Sequence, residues 1–542
     1  MENIQHCTYQ ITDYFFIPSL FFAITTDPER PGRPCSKTQR KAKLGKFIVP
    51  GLLSEFKYIE TPNLYHARRG IMLSWLENWL NSAQQLIAQS QWNPLQRLAK
   101  NTILSLLGKI TRGQLTIESA NQVHEFGKPF ILDVDGFART LSAKVKVIEE
   151  SFWVRLFLHP EFGFADAFML GEIEVESLND AFRIFVLNRK VMGELSTVVS
   201  PLIRGLGYIS NFRLANGLPG SKSNISAHYD LPTDVFGAFL SCDMTYSCAI
   251  FDDDAKGPVG DLIEKRPIAP PLQNYNDPRT IPLDDLERGQ FNKLHLVARR
   301  ARIKEGSRVL EIGCGWGSFA ILAAGTYGAM VDALTISDVQ KVAVDENVKA
   351  AGLSDVITVH VMDYRQMPPS FFHAYDAVVS IGVMEHVGIE FMQGWFEKMA
   401  WAMKEEGAFK VFTMSTVPDT RWDLYSTEVD FVRKYIYPGG QLSSVKTLVN
   451  DIAAAGLNVD TIENIGPHYS RTAREWGYRF ERNFESHIKP ALLRDYPHLT
   501  PEDLIIFRRK WEYYFAYTEA GFALRNISDH VFTLTREANL NV

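Results

Sequence analysis

Residues 309–320, V-L-E-I-G-C-G-W-G-S-F-A, decide the fold of this chain. An apolar run leads into Gly313, Gly315 and Gly317, which alternate with other residues, and an apolar helical pattern follows. This order predicts a strand that turns tightly into a helix N-terminus, where the backbone approaches a ligand. The G-x-G-x-G spacing differs from the G-x-G-x-x-G of dinucleotide-binding proteins. Together with Glu311 it indicates S-adenosylmethionine (SAM), and a glycine-rich turn without a ligand is the alternative.

Strands and helices alternate on both sides of this turn. Strands are predicted at 308–312, 330–334, 357–361, 377–380, 408–414, 459–463 and 531–534, with helices at 318–327, 338–351 and 391–403. Such alternation predicts an α/β fold with a mostly parallel, doubly wound sheet that binds ligands at the carboxyl ends of its strands. Aromatic-rich helices over 464–528 interrupt the pattern, which predicts a lid inserted before the last strand, with plain core packing as the alternative.

Composition narrows the class of protein. A chain of 542 residues suggests two or more domains, and 46% hydrophobic with 22% charged residues is typical of a soluble globular protein. The net charge of −6 argues against general nucleic-acid binding. Five widely spaced cysteines predict neither a disulfide framework nor a metal site, so we expect a reducing, cytoplasmic location. The best apolar run, 14–24, is too short to span a bilayer.

The chain divides at a turn-rich stretch over 216–224. We predict an N-terminal extension over 1–64 with a basic arm at 28–46, a first domain over 65–215, and a catalytic domain over 224–542. Helices at 72–88 and 95–107 and strands at 114–117, 130–134 and 143–149 are expected in the first domain. The basic arm would contact anionic lipid head groups, and a solvated tail is the alternative.

Several short motifs occur in this chain in the same order as in a known protein family. These are H-Y-D-L at 228–231, M-T-Y-S-C-A at 244–249, the glycine turn, L-T-I-S at 334–337, M-E-H-V-G at 384–388, Y-P-G-G at 437–440 and G-P-H-Y at 466–469. The series resembles the cyclopropane-fatty-acyl-phospholipid synthases and the related mycolic-acid methyltransferases over 224–540. A weaker resemblance over about 125–200 is to the lipid-interacting domain of the longer synthases.

The resemblance implies a Rossmann-like class I SAM-dependent methyltransferase sheet with helical lid insertions, plus a smaller α+β N-terminal domain. It also implies transfer of the SAM methyl group to a cis double bond of a phospholipid acyl chain in a membrane. We therefore expect peripheral membrane contact, and a homodimer stays open. The SAM-binding residues that carry over are Tyr246, Ser247, Glu311, Gly313, Gly315, Gly317, Thr335, Ser337, Gln340, Tyr364 and Arg365. For Glu311, an acid satisfied by neighbouring backbone is the alternative.

In this family the base is thought to be a bound bicarbonate. Its cradle carries over to Cys248, Glu385 and Tyr469. We expect Glu385 to orient the anion, Tyr469 to donate a hydrogen bond and Cys248 to offer its backbone. For Glu385 the alternative is a helix-capping carboxylate, and for Tyr469 an ordinary core tyrosine.

The chain departs from the family pattern at two positions. Many members have a cradle histidine on the fifth strand, and alignment from Gly407 to Thr413 puts Phe412 there. Many also carry a cysteine in the last aromatic helix, where this chain has Thr518, so a covalent cysteine mechanism is not available. Three rivals stay open: a C-methyltransferase that leaves a methyl or methylene branch on a fatty acid or sphingolipid base, a small-molecule N-methyltransferase, and a lipid-binding protein with a degenerate domain.

Overall fold

The structure of the protein is a computed structural model. It describes residues 93–120, 122–134, 137–160, 162–192, 231–265, 268 and 284–539, all of which belong to the second of two compact units, Gln84–Val542. The predicted basic arm, the helix at 72–88 and the turn-rich stretch at 216–224 lie outside these residues. No helix within the described ranges combines the length and apolar character needed to cross a bilayer.

The first folded region is a small α+β assembly. Its elements in chain order are α1 (Asn93–Leu107), β1 (Gly113–Ser119), β2 (Gln122–Lys128), β3 (Ile131–Val134), β4 (Phe137–Thr140), β5 (Ser142–Val147), α2 (Ser151–Leu158), α3 (Gly163–Leu170), β6 (Ile173–Val175), α4 (Leu178–Leu187) and α5 (Arg189–Met192). Four strands form a sheet in the order β2-β1-β5-β6, in which only the central pair β1–β5 is parallel.

The second region contains the predicted alternation. Its elements are α6 (Thr233–Gly237), α7 (Gly260–Ile263), α8 (Asp285–Arg300), β7 (Arg308–Ile312), α9 (Ser318–Tyr327), β8 (Met330–Thr335), α10 (Asp338–Ala350), β9 (Ile357–Val361), β10 (Ala377–Ile381), α11 (Met392–Ala402), β11 (Phe409–Val417), α12 (Trp422–Thr427), α13 (Phe431–Tyr435), β12 (Ser443–Ser444), α14 (Val445–Ala454), β13 (Asn458–Asn464), α15 (Gly466–Asn483), α16 (Lys489–Asp495), α17 (Pro501–Ala523) and β14 (Ser528–Thr535).

The central sheet confirms the predicted fold class. Its order is β13-β14-β11-β10-β7-β8-β9, and the two-residue β12 pairs with β11. The five strands from β7 to β11 run parallel, whereas β14 and β13 are antiparallel additions at one side. Because parallel strands end at the same edge, the turns after β7, β8, β9, β10 and β11 lie side by side.

Side chains alternate between two apolar layers across this sheet. Val309, Val379 and Val411 pack with α8, α9 and α10, while the intervening residues face α11 and α14 on the opposite side. On α11 the predicted core positions Trp395 and Met399 are fully buried. Phe391 differs from the prediction, because it precedes the helix and is half exposed.

The aromatic-rich insertion forms α15, a π-helical turn (Phe484–Ile488), α16 and the long helix α17. Its aromatic stripes pack against each other, as Phe480 and Trp511 do with ring centroids 5.9 Å apart. Tyr513 of α17 also contacts Phe182 of α4 in the first region. The insertion is therefore packed between the two folded regions.

A buried charge cluster joins the regions at the same place. The Glu519 carboxylate on α17 accepts hydrogen bonds from Arg183 and, at 2.9 Å, from Asn179, both on α4. Arg474 on α15 donates to Glu519 at 2.8 Å and pairs with Asp261. Since Glu519 is fully buried, its charge depends on Arg183 and Arg474, which bond to it directly, for compensation.

We predict that Glu519→Gln costs about 3 kcal/mol of unfolding free energy, because it leaves two buried guanidinium groups short of a counter-charge. Glu512→Gln, at an exposed position of the same helix, is the matched control and is expected to change stability by less than about 0.5 kcal/mol. Urea unfolding followed by tryptophan fluorescence measures both. Equal stability of the two variants would contradict the assigned role of Glu519.

Candidate active site at the carboxyl edge of the sheet

The glycine turn after β7 is a tight, left-handed backbone segment. Gly313, Gly315 and Gly317 have φ angles of +79°, +53° and +92°. A Cβ added at Gly313 would lie 2.3 Å from a methyl carbon of Val383, so the glycine turn is packed against the segment that follows β10. A Cβ at Gly315 would meet nothing within 4 Å. The turn thus keeps an open cradle at Gly315, into which a ligand can come close to the backbone.

Polar side chains follow the next two strands. At the end of β8, the Thr335 hydroxyl donates to the Gln340 amide oxygen at 2.7 Å. The Ser337 hydroxyl, two residues further on, accepts from the Gln340 backbone. After β9, the exposed guanidinium of Arg365 pairs with Asp363 at 2.6 Å, and Tyr364 lies beside it. These residues lie at or just after the carboxyl ends of β8 and β9 and so belong to the edge that holds the glycine turn.

The carboxyl group of Glu311 is directed toward helix α9, which follows the glycine turn. Its carboxyl group is buried and accepts a hydrogen bond from the Ala320 backbone in the first turn of α9. Burial raises its pKa to about 8, although the nearby charge of Lys293 opposes this shift. The geometry matches the alternative of an acid held by neighbouring backbone, and its second oxygen has no partner among the described residues.

Lys293 is a component of the site that motif reasoning missed. It lies on α8, fully buried, and its Nζ donates to the Ser247 hydroxyl at 2.8 Å. Burial lowers its pKa to about 8, and the carboxylates of Asp243 and Asp529 counteract this effect. The available signal was helical spacing, because Lys293 shares the buried face of α8 with Leu286, Gly289 and Val297. Lys293 fixes Ser247 and supplies positive charge beneath the site.

Glu385 and Tyr469 both line one cavity of the protein. Glu385 lies in a short turn after β10, where one carboxyl oxygen accepts from the Ser415 backbone at 2.7 Å. Its other oxygen is buried without a partner among the described residues, and burial raises the pKa of this group. Tyr469, on α15, stacks on Phe522 at 4.4 Å, and burial raises its pKa far above the ordinary value.

Cys248 is buried in the same apolar cluster against which Tyr469 packs. Its thiol donates to the carbonyl oxygens of Ala249 at 3.3 Å and Ile465 at 3.6 Å. Burial raises the pKa of the thiol well above its ordinary value, so it stays protonated. The side chain is thus unsuited to act as a thiolate, and the role of its backbone stays a prediction.

Three tyrosines form a hydroxyl cluster beside these groups. The Tyr514 hydroxyl is 3.3 Å from that of Tyr246 and 3.4 Å from that of Tyr437. Burial raises the pKa of all three phenols. Of these, only Tyr246 was predicted as a site residue. The signals for the others were the Y-P-G-G motif and the aromatic stripe of the insertion.

The placement of Phe412 in the cradle is wrong. Phe412 is fully buried on the opposite face of the sheet, where it stacks on Phe532 with centroids 4.6 Å apart. On β11, the positions that face the site are those of Thr413 and Ser415, which alternate with Phe412. Thr413 accepts from the Gly382 backbone at 3.0 Å, and Ser415 holds Glu385. Thr518 does line the cavity, as its place on α17 suggested.

The cavity itself has a volume of about 700 Å³. One part is lined by Tyr246, Glu385 and Tyr469, and another lies between the helices and strands of the first region, against residues such as Leu115, Phe152 and Phe182. Apolar side chains make up most of its lining, and polar and charged side chains from both regions line the rest. No cluster of three or more metal-ligating side chains occurs in the described part of the chain.

The chain is similar to several known proteins. The family model for mycolic acid cyclopropane synthetase matches residues 219–532. The chain is 29% identical to the tuberculostearic acid methyltransferase UfaA1 of Mycobacterium tuberculosis over 389 residues, which are 71% of this chain and 81% of the relative. It is 28% identical to the cyclopropane-fatty-acyl-phospholipid synthase of Escherichia coli K12 over 388 residues, 71% of this chain and 86% of the relative. The structure of the cyclopropane synthase MmaA2 of Mycobacterium tuberculosis superposes with a TM-score of 0.45 and 22% identity, covering 58% of this chain and 97% of that one.

We predict that Glu311→Gln flattens the pH dependence of stability. Between the ordinary carboxyl pKa of 4.5 and the folded-state pKa of about 8, the folded protein retains a proton that the unfolded chain releases. Wild-type stability therefore falls with rising pH, by about 1.4 kcal/mol per pH unit from this group. Melting temperatures measured between pH 5 and pH 8 should show Glu311→Gln gaining on wild type as pH rises.

Glu305→Gln, at an exposed position before β7, is the matched control and should follow the wild-type profile. A constant offset between Glu311→Gln and wild type across this range would contradict the raised pKa.

Proposed function

Because the chain belongs to the mycolic acid cyclopropane synthetase family, we propose that it transfers the SAM methyl group to a cis double bond of a phospholipid acyl chain and closes a cyclopropane ring. Membership makes the chain an enzyme of the SAM-dependent lipid methyltransferases. The observation that carries the finer proposal is the single cavity shared by an apolar compartment in the first region and by Glu385 and Tyr469. Val383, two residues before Glu385, packs against Gly313 of the glycine turn.

SAM fits the residues at the sheet edge. The open space in front of Gly315 admits a ligand against the backbone. Thr335 and Gln340 lie at the end of β8 and just beyond it, and Ser247 lies against Gly382 after β10, so all three offer polar groups at the same sheet edge. When bound, SAM supplies a methyl group on a positively charged sulfur. We propose that the glycine turn and Ser247 hold the methionine part, and that Tyr364 and Arg365 lie beside the adenine.

The lipid occupies the cavity in this proposal. Burying an acyl chain against Leu115, Phe152 and Phe182 removes it from water, and the reacting double bond then lies among Tyr246, Tyr437 and Tyr514. Because the substrate resides in a bilayer, we also propose peripheral membrane contact. Leu424, which is 55% exposed at the cavity lining, is positioned to meet lipid there.

In this proposal, the aromatic side chains that line the cavity stabilise the positive charge that develops on the acyl chain. Methyl transfer to an alkene leaves a carbocation, which the faces of Tyr246, Tyr437 and Tyr514 stabilise by cation–π attraction. Because burial holds the pKa of these phenols high, they stay neutral and do not compete as phenolate nucleophiles for the methyl group. Exclusion of water prevents capture of the cation as an alcohol.

Ring closure requires loss of a proton from the transferred methyl group. The unpartnered oxygen of Glu385 and the hydroxyl of Tyr469 fit a small oxyanion such as bicarbonate, which when bound supplies a base. Glu385 would orient its hydroxyl, and Tyr469 would donate to a charged oxygen. The Ser415 backbone holds Glu385 in position for this contact.

A second candidate is methylation without ring closure. The relative named tuberculostearic acid methyltransferase is as similar to the chain as the relative named cyclopropane synthase, at 29% and 28% identity. In that case the cation loses a proton from the acyl chain and leaves a methyl branch beside a new double bond, or it undergoes a hydride shift and then loses a methyl proton, which leaves a methylene branch. The two candidates share SAM, the cavity and the tyrosines, and they differ in how the cation is resolved.

The test is incubation of the full-length protein with SAM and vesicles of dioleoyl phosphatidylglycerol, followed by mass spectrometry and proton NMR of the acyl chains. A mass gain of one methylene with upfield ring protons is expected. The same gain without ring protons would establish the branching candidate instead. No gain with phospholipid, sphingolipid or free fatty acid would overturn both, and calorimetry would then show whether SAM binds at all.

We predict that Glu385→Gln leaves SAM affinity unchanged and slows turnover about 100-fold, the order of magnitude that a positioned acid–base group contributes. Calorimetric titration with SAM and single-turnover assays separate the two effects. Glu390→Gln changes an exposed neighbour in the same segment and should behave as wild type. Unchanged turnover in Glu385→Gln would remove this residue from the mechanism.

A further inference from the structure

A buried ammonium group lies beneath the M-T-Y-S-C-A segment at 244–249. Lys293 is fully buried on α8, and its Nζ donates to the Ser247 hydroxyl oxygen at 2.8 Å. Among the described residues this oxygen is its one hydrogen-bond acceptor, and no carboxylate forms an ion pair with it. Because an ammonium group carries three N–H donors and no acceptor, two donors of Lys293 remain open in the protein interior.

The carboxylates whose charge reaches Lys293 are not bonded to it. Burial lowers its pKa to about 8, and the charges of Asp243, Asp529 and Glu311 oppose this shift. The Asp243 carboxylate is occupied by its own loop, since it accepts from the Thr245 backbone at 3.2 Å and from the Thr245 hydroxyl at 2.5 Å. At neutral pH the ammonium group stays protonated. A buried cation in this position is unfavourable unless an anion lies close to it.

The bond to Lys293 fixes the direction of the Ser247 hydroxyl group. Because the ammonium group can only donate, the Ser247 oxygen is the acceptor and its own proton points elsewhere. No residue in the described part of the chain accepts that proton. A Cβ added at Gly382, which lines the cavity, would lie 3.4 Å from the Ser247 Cβ. Ser247 therefore offers an open hydrogen-bond donor at the edge of the sheet.

The segment that carries Ser247 is held from two sides. The Gln290 side-chain amide on α8 donates to the Ser247 carbonyl oxygen at 2.8 Å. The hydroxyl of Ser318, the residue that begins α9 directly after the glycine turn, donates to the Asp243 carbonyl oxygen at 2.5 Å. The open donors of Ser247 and Lys293 are thus fixed in position relative to the glycine turn before any ligand binds.

We propose that Lys293 is a positioning residue that turns the Ser247 hydroxyl outward as a donor and so selects a carboxylate at the methionine end of SAM. This inference rests on the proposed function, in which Ser247 holds the methionine part. The amino-acid end of SAM carries a carboxylate and an ammonium group. A hydroxyl that can only donate, next to a positive charge, binds the first of these and repels the second.

Decarboxylated SAM is the probe for this selection. It keeps the sulfonium, the amine and the nucleoside of SAM and has no carboxylate. Calorimetric titration into the full-length protein should show SAM bound at least tenfold more tightly than decarboxylated SAM, as expected for a hydrogen bond to a charged group. Equal affinity for the two ligands would overturn the proposal.

Lys293→Met removes the charge and the donors at little change in side-chain volume. SAM affinity should fall about tenfold, whereas the affinity for decarboxylated SAM should not fall. The urea midpoint of unfolding should not fall either, because the variant removes a buried cation that has no ion pair among the described residues. An equal loss of affinity for both ligands, together with a lower midpoint, would identify a purely structural role and contradict the proposal.

Lys304→Met makes the same chemical change at an exposed position just beyond α8. This matched control should bind SAM and decarboxylated SAM as wild type does. A tenfold loss of SAM affinity in this variant would show that any lost lysine charge has the effect, which would also contradict the role of Lys293.

Ser247→Ala tests the route of the effect without a change at Lys293. It removes the directed hydroxyl group, so SAM affinity should fall about tenfold and the affinity for decarboxylated SAM should stay the same. The double variant with Lys293→Met should lose well under the hundredfold that two independent losses would give, because the two side chains act as one unit. A full hundredfold loss would show that Lys293 does not act through Ser247.

Failure of the proposed function has a different signature. If SAM is bound selectively, and through Lys293, but no lipid gains a methyl group, the role of Lys293 stands and the reaction is wrong. If both ligands bind equally well and methyl transfer proceeds with SAM, the reaction stands and the role of Lys293 is wrong. Binding of neither ligand would overturn the proposed function and this inference together.

Discussion

The charge cluster around Glu519 is the interaction on which the functional architecture depends. It ties α4 of the first region to α15 and α17 of the insertion, and the cavity has walls from all three helices. A buried carboxylate with several donors fixes orientation more strictly than apolar contact, because any shift leaves a charge unpaired. The aromatic contacts between Tyr513 and Phe182 then fill the remaining space.

The site combines buried ionisable groups beneath the sheet edge with neutral groups that face the cavity. Lys293 and Asp529 lie beneath the sheet edge, and burial shifts the pKa of each toward its uncharged form. The cavity wall near Glu385 consists mainly of tyrosines whose pKa values are raised. This arrangement suits a reaction whose substrate is apolar and whose charge appears only during the chemical step.

Sequence reasoning succeeded where a local pattern determines the structure. The glycine turn, the alternation around it and the helical insertion were all predicted, because tight turns, periodicity and aromatic stripes are local signals. It failed at Phe412, where an error of one residue reverses the face of a strand. It also missed Lys293 and Tyr514, because each contacts a residue that is distant in sequence. Lys293 bonds to Ser247, 46 positions away, and Tyr514 bonds to Tyr246, 268 positions away. The cavity within the first region follows from packing between elements, which no motif encodes.

The apolar character of the cavity bears on how the protein would choose among lipids. An acyl chain that leaves a bilayer for a compartment lined by Leu115, Phe152 and Phe182 exchanges one hydrocarbon environment for another. Its transfer therefore releases little of the free energy that burial from water would provide. Under the proposed function, chain length would weigh little in substrate choice. The membrane would act as the competing solvent, and the enzyme's saturation behaviour would follow the surface density of lipid rather than its bulk concentration.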